Sequence, residues 1–360
     1  MTNVIPDIDV IQQVKRITNR NPNVRDVACL IGGFETDTNY LTPTFYETLA
    51  SAENDLYDGS ESTLPAANKV LRKLFGDDRI SGVLVVNVSV KSGTAPNITW
   101  ARSVTKTKLE NSLAAVNAME FDLLYVAEEL TDELITVVDT DATARFADKK
   151  PYGWIGAATR ANASAYTTTA NKLGDFCYAF LTQPLEINGT TLTLLESGAW
   201  LTNYIAKLPV GNSLTAKVIS EITGLGTSYT FAEGELGHTL VGLGFFVVRL
   251  LNPLENNYEC VNSAGANGLD LYINRCRDYI INDFALRPFL GDKNNTPTID
   301  GVKMECNRLN TKFVSDLAVA ENINYGVEKE DSKTAVVSLN SIQFADILTK
   351  IKLYVTIEVI

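Results

Sequence analysis

Acid–base, nucleophilic and metal chemistry need particular side chains close together, and this sequence holds few of them. Its only histidine is His238, in Gly237-His238-Thr239 ahead of an apolar run. A His-dependent triad needs a nucleophile and an orienting acid beside it, and no Gly-x-Ser-x-Gly elbow occurs. His238 reads as a turn or surface residue. The five cysteines, Cys29, Cys177, Cys260, Cys276 and Cys306, include no Cys-x-x-Cys pair. One histidine and scattered thiols do not make a zinc site. An odd number of cysteines in a chain that needs no staples reads as reduced, buried thiols, and Cys276 and Cys306 fall on apolar helix faces.

Phosphate-binding signals are equally thin. Gly224-Leu225-Gly226 starts like a dinucleotide fingerprint, but Tyr229 stands where the third glycine belongs. Gly242-Leu243-Gly244 also lacks that glycine and lies inside an apolar run; both read as turns or tight packing. No Gly-x-x-x-x-Gly-Lys-Ser/Thr loop occurs. The acidic pairs Asp77-Asp78 and Glu128-Glu129 read as solvated element edges. No catalytic residue, cofactor-binding residue or metal ligand is assigned, and carboxylate chemistry is the one enzymatic route left open.

The elements form an α/β rhythm. Val27-Ala28-Cys29-Leu30-Ile31 is a short buried strand closed by Gly32-Gly33. Residues 36–64 are polar and irregular and read as loop with some helix. Leu64-Pro65 opens a helix with Ala67, Val70, Leu71 and Leu74 on one face, ended by Gly76. Val83-Leu84-Val85-Val86-Asn87-Val88 has the continuous β-branched character of a strand buried on both faces. A Gly/Pro/Ser/Thr loop follows over 91–99. Helices marked by Leu109, Leu113, Val116 and by Leu130, Leu134, Val138 then alternate with strands at 121–126 and 153–157. Alternation of this kind predicts a mostly parallel sheet.

Asn188-Gly189 between alternating residues predicts a hairpin over 185–192. A helix over 197–208 buries Leu201, Ile205 and Leu208, and 240–250 reads as an apolar strand region. Two amphipathic helices follow, one carrying Leu269, Ile273, Cys276, Ile280 and Phe284, the other Val302, Cys306, Leu309, Phe313 and Leu317. A break over 287–297 separates them. Residues 334–344 read as a strand.

Composition bounds the class. The 360 residues are 45% hydrophobic and 21% charged, a globular balance, and roughly 100–200 residues per domain gives two or three domains. The formal charge of −12 argues against coating nucleic acid, which needs a cationic face. The N-terminus has neither basic nor apolar signal regions, and the longest apolar stretch is about half the ~20 residues that span a bilayer. The expectation is a soluble chain made in a cytoplasm, with no membrane insertion.

Both chain ends alternate. Ile5, Ile8 and Val10 mark an extended N-terminal segment that Pro6 confines to a sheet edge. At the other end Ile351, Leu353, Val355, Ile357 and Val359 all point to one face. Such terminal strands either close the chain's own sheet or are lent to neighbours.

The C-terminal residues Val337-Ser338-Leu339-Asn340-Ser341-Ile342, then Asp346, Leu348 and Lys350-Ile351-Lys352-Leu353-Tyr354-Val355-Thr356-Ile357-Glu358-Val359, resemble the closing motif of contractile tail sheath proteins of phages and phage-tail-like particles. That motif is a V-x-L-N strand, a bend around D-x-x-x-K-I and a final strand ending T-I-E-V. Arg249-Leu250-Leu251-Asn252-Pro253-Leu254 resembles the family's R-G-V-N-[ST]-L, with the Gly and the Ser/Thr replaced. The hairpin and helix of 191–208, the helix of 269–291 and the N-terminal arm with the Val27 strand also match in order. The resemblance covers most of 1–34 and 109–360; residues 35–108 are not specific.

The resemblance implies an α/β (mixed α+β) fold with a central mixed sheet core flanked by helices, a smaller N-terminal α/β domain, and extended terminal strand arms. The expected division is an arm at 1–20, an N-terminal α/β domain at 21–108, a middle sheath domain at 109–230, a C-terminal core domain at 231–350 and an arm strand at 351–360. It implies a non-enzymatic structural subunit without cofactors. Copies of the chain would stack as rings around a tail tube in a virion or phage-like particle assembled in the host cytoplasm, and contract to drive the tube through a cell envelope. Partners would be further copies, the tube protein, and baseplate and tail terminator proteins, with no direct nucleic acid. Strand addition between subunits would use Ile5, Ile8, Val10, Leu353, Val355, Ile357 and Val359. Lys350 and Lys352, or Arg308 and Lys312 at helical spacing, are candidates for ionic contact with the tube. The rival readings are another phage tail or baseplate structural protein, or a cytosolic α/β enzyme using carboxylates.

Overall fold

A computed structural model describes residues 27–344, apart from 60–62, 77–79, 94–97, 149, 264, 266, 285–294, 317–318, 320 and 330–334. The centre is a six-stranded sheet in the order β2-β3-β1-β6-β7-β8. Its strands are β1 (Val27–Gly32), β2 (Thr44–Tyr46), β3 (Gly82–Asn87), β6 (Leu123–Val126), β7 (Gly153–Ala157) and β8 (Cys177–Leu181). Every neighbour pair is parallel except β2 with β3, so the sheet is mixed. It draws strands from both sides of residue 108.

The two-residue period of the strands sorts the core into two layers. Ala28 and Leu30 of β1 face one side with Val83, Val85, Leu123, Tyr125 and Ile155. That side is covered by α1 (Leu49–Leu56), α2 (Ala66–Phe75) and α6 (Leu194–Lys207). Cys29 and Ile31 face the other side with Leu84, Val86, Leu124, Val126 and Trp154. There the cover is α3 (Lys106–Ala115), α4 (Asp132–Ala147), α5 (Ala163–Ala170) and α7 (Leu236–Gly242). Burial on both faces is why these strands read as unbroken apolar runs.

Helix α6 is placed by local chemistry. Asn188 and Gly189 take positive φ, 48° and 77°, and turn β9 (Leu185–Ile187) into β10 (Thr190–Thr191). Thr193 and Glu196 then form a reciprocal capping box. The helix lies so close to the sheet that a Cβ on Gly198 would stand 2.4 Å from the Tyr125 hydroxyl, which itself donates to the Leu195 carbonyl at 2.7 Å.

Three expectations are corrected. The apolar run at 240–250 splits: α7 takes its first residues, and β13 (Val247–Asn252) begins only after a turn at Gly244, φ 79°. A short apolar run does not by itself separate helix from strand. The loop at 91–99 is instead framed by a small hairpin, β4 (Val90–Ser92) with β5 (Thr99–Ala101). Glu128 and Glu129 are not merely solvated: they accept from the main-chain N–H of Val104 and of Thr159, both at 3.1 Å. His238 is exposed, as expected, but sits on α7.

A second small sheet adds β12 (Ile222–Leu225) to β9. A third pairs β11 (Lys217–Val218) and β13 with β14 (Asn257–Asn262), and a bridge from Leu181 to Phe246 joins it to the edge of the main sheet. The last segment builds its own core from α8 (Leu271–Phe284), α9 (Thr296–Ser315), β15 (Asn324–Lys329) and β16 (Ala335–Ser341). Among the described residues no helix is long and apolar enough to cross a membrane.

Gly198→Ala is expected to lower stability by about 1–3 kcal/mol through overpacking against Tyr125, despite the better helix former. Tyr125→Phe in the same chain should recover part of the loss; urea denaturation of the three variants checks it. A second expectation concerns Asp139 on α4. Burial, then Asp175, raise its carboxyl above the usual range, while Gly174 N–H and Trp154 offset part of that. A raised folded value favours the protonated form, so this contribution is present at low pH and lost as pH rises through the folded value. Asp139→Asn should therefore stabilise the fold at pH 7–8 relative to the parent and change it little near pH 4.

Candidate strand-accepting site

The C-terminal core begins with helix signals that act locally. Asn295 caps α9 by accepting from the Thr298 N–H at 3.1 Å, and Pro297 occupies the first turn rather than the preceding break, a position where its missing N–H costs nothing. Val302, Cys306, Leu309 and Phe313 form the buried face, as their spacing predicts; Leu317 lies outside the described residues. Phe313 meets Tyr279 of α8 edge-on at 5.5 Å. Leu269, expected on the buried face of α8, is instead 42% exposed. It precedes the helix, and the neighbouring Asp270 turns inward to accept from the Tyr272 N–H and from Ser213, Thr215 and Ser263.

Strands β15 and β16 pair antiparallel with Tyr325 opposite Leu339 and Val327 opposite Val337. Those four side chains pack on the helical core. Gly326 opposite Ser338 and Glu328 opposite Val336 alternate with them and point away. The Tyr325 hydroxyl contacts Asn307 at 2.5 Å, and the Asn310 amide donates to the Ile323 carbonyl at 3.1 Å. One face is thus anchored on α9. Among the described residues the sheet holds two strands only, and both outer edges carry no further strand. A two-stranded sheet is marginal alone and is completed by added strands or by helix packing. With its inner face already on helices, this one has two edges that no other strand among the described residues occupies.

The residues expected to add strands, Ile5, Ile8, Val10, Leu353, Val355, Ile357 and Val359, lie outside the described residues, as do Lys350 and Lys352. Arg308 and Lys312 do share a face of α9, but each has a partner within the chain. Arg308 grips Glu305 through two contacts, 2.8 and 2.5 Å, and that bond holds the Glu305 carboxyl below its usual range. Lys312 donates to Asp283 of α8 at 2.6 Å and stands 4.7 Å over the Tyr279 ring. It ties the two helices together. Strand β15 and this clamp were missed in the sequence; the mixed residues of 324–329 carry little strand signal, and a contact 29 residues apart carries none.

Elsewhere, main chain crosses close over the point where an α/β sheet would hold a substrate. Omitting β2, the order β3-β1-β6-β7-β8 is that of a doubly wound sheet, whose crevice opens at the carboxyl ends of the strands where the order reverses. Here that point lies between β1 and β6. Residues 102–104 cross it: a Cβ on Gly33 would be 2.2 Å from the Arg102 carbonyl oxygen, Arg102 Nε donates to Phe34 O at 3.2 Å, and Val104 N–H donates to Glu128. All five cysteines are free and buried. Burial pushes the Cys276 thiol up to about 12 and Cys306 to about 11, which suppresses the reactive thiolate. No group of three or more His, Cys, Asp or Glu that could hold a metal occurs among the described residues.

Lys312→Ala is expected to destabilise the chain by about 1 kcal/mol, since the pair is only partly exposed. Arg308→Ala should be nearly neutral, because its partner lies one turn away on the same exposed helix face. Chemical denaturation of both variants separates a clamp from a surface charge.

No established sequence family matches the chain. No curated protein matches it either. Solved structures do. A sheath tail protein from Desulfitobacterium hafniense superposes with a TM-score of 0.62 at 14% identity, covering 89% of this chain and 97% of that one. A chain of the anti-feeding prophage helical sheath in its contracted state gives 0.64 at 14% identity, over 94% and 96%. A chain of the anti-feeding prophage baseplate gives 0.66 at 13% identity, over 93% of each. The likeness runs through nearly the whole of both partners, and the chain has the fold of the tail sheath proteins.

Proposed function

We propose that this chain is a structural, non-enzymatic subunit of a contractile tail sheath. The observation that carries the reading is the shared fold over 89% and 94% of the chain with a sheath tail protein and with a contracted helical sheath. The β15–β16 sheet supplies a physical means of joining subunits. Its two open edges can each take a strand through main-chain hydrogen bonds, which need no particular side chain. The alternating ends supply strands for them: Ile5, Ile8 and Val10 from one neighbour, Leu353, Val355, Ile357 and Val359 from another. Such joints bend without breaking, so a ring stack can rotate and slide while its mesh holds.

Contraction is then a change between two packings of the same subunits, and it drives an inner tube towards a target envelope. Lys350, Lys352 and Arg308 are the cations offered to the tube. Lys312 is the weakest of the four candidates, because it is already engaged with Asp283. Baseplate and terminator proteins complete the particle. The likeness to a chain of a baseplate assembly favours one second reading, a tail part that sits at the end of the sheath rather than along it.

Removal of Leu353 and everything after it should leave a folded subunit, with unchanged circular dichroism, that no longer assembles. Negative-stain electron microscopy of the full chain at rising concentration should show hollow, striated tubes of uniform width. Loss of soluble, folded protein on truncation would place that segment in the chain's own core instead. Closed rings without tubes would favour the baseplate-like reading.

A further inference from the structure

Charge is distributed unevenly along this acidic chain. Residues 79–109 contain five Lys or Arg and no Asp or Glu, within a total of −12. The middle of that stretch is the β4–β5 hairpin, which pairs with nothing else among the described residues. Lys91, Ser92, Thr99 and Ala101 on it are exposed. Two cations stand against the Trp100 ring, Lys91 Nζ at 5.3 Å and the Arg102 guanidinium at 5.2 Å from its centre. The base of the hairpin is braced: Lys108 Nζ donates to the Ala101 and Ser103 carbonyls at 2.8 and 3.2 Å, and Arg102 is tied to Phe34. A braced, cationic, aromatic knob is well suited to an acidic surface, since Trp and cations dominate desolvated contacts.

The same chain carries an acidic counterpart. Helices α3 and α4 enclose an open groove of about 640 Å³ whose charged lining is Glu110, Glu133, Asp141 and Asp148 with Lys106 and Arg145. Lys106 answers Glu133 at 3.5 Å. Arg145, buried in the groove wall, spends its terminal nitrogens on the Val116 and Met119 carbonyls, and its Nε has no acceptor. Acids outnumber the bases that answer them.

We infer that the β4–β5 hairpin of one copy docks in the α3–α4 groove of a second copy, with Lys91 and Trp100 meeting Glu110 and Asp148. The two surfaces differ, so the contact is heterologous and leaves one of each free at the ends of any chain of copies. It rests on the sheath reading only in taking further copies as the partner. It uses none of the terminal strands.

Sedimentation of the full chain tests it, at about 50 and about 500 mM salt, the second well inside the screening regime. Self-association should weaken as salt rises. Lys91→Glu and Glu110→Lys, both at surface positions, should each weaken it about tenfold or more. Mixing the two variants should restore it, because each hairpin then finds a complementary groove. Association equal to the parent in both variants overturns the inference, even where tubes form and the sheath reading stands. A parent that stays monomeric at low salt overturns it as well, as does binding of Lys91-dependent character to polyanions such as heparin with no self-association. Salt-sensitive pairs without tubes would support the docking and count against the sheath.

Discussion

Main-chain hydrogen bonding at strand edges is the constraint that organises this chain. Every edge must be paired, covered or left to water. The central sheet ends on the antiparallel β2 at one side, and at the other it passes into β13 through the Leu181–Phe246 bridge. Just beyond, the buried Gln183 amide serves Val248 as a neighbouring peptide would: it donates to the carbonyl at 3.1 Å and accepts from the N–H at 3.4 Å. On the β8 side the edge is thus continued inside the subunit. The β15–β16 pair is handled differently, with one face on α9 and two edges unoccupied among the described residues. Among the described residues β4–β5 and β15–β16 are the two sheets of only two strands, and the second rests one face on a helical core.

The same main-chain constraint acts at the switch point of the central sheet. Strand order alone would favour a ligand crevice between β1 and β6, and fold by itself does not fix function. In this chain the segment after the β4–β5 hairpin lies across that point, held by Phe34 and Glu128. Gly33 is needed there because any larger residue would strike the Arg102 main chain. At that point the chain makes a structural joint, and the β4–β5 hairpin leads directly into it.

Much of the central fold was legible in the sequence. The runs at Val27 and Val83, the Asn188-Gly189 turn and the Gly76 stop all act within a few residues, and the structure places each as expected. What could not be read depends on distant partners. The run at 240–250 divides between α7 and β13, with Leu240 buried on the helix and Phe246 bridged to Leu181. The candidate site was half legible. The α9 face follows from spacing at 302, 306, 309 and 313, but β15 is short and mixed, and gains its strand character from pairing with β16 and resting on Asn307 and Asn310. Arg308 and Lys312 look alike in sequence; only the fold gives one a partner on its own helix and the other a partner on α8.

The joint between the C-terminal core and the main body indicates where deformation can occur. Asp278 of α8 is fully buried, accepts from the Tyr178 hydroxyl of β8 at 2.6 Å and from Arg277 at 2.8 Å. Arg275, also buried, donates to the Leu208 and Pro209 carbonyls at the end of α6. Separating these elements would strip hydrogen-bond partners from buried charged groups, at about 1–3 kcal/mol for each group left unpaired. The interior apolar contacts between α8 and the sheet would be lost as well. Rearrangement within the subunit is therefore costly, whereas sliding of strands held at an edge exchanges one set of main-chain bonds for another. On the proposed sheath reading, a change in the shape of the assembly concentrates in the joints between copies, with each subunit moving as one body.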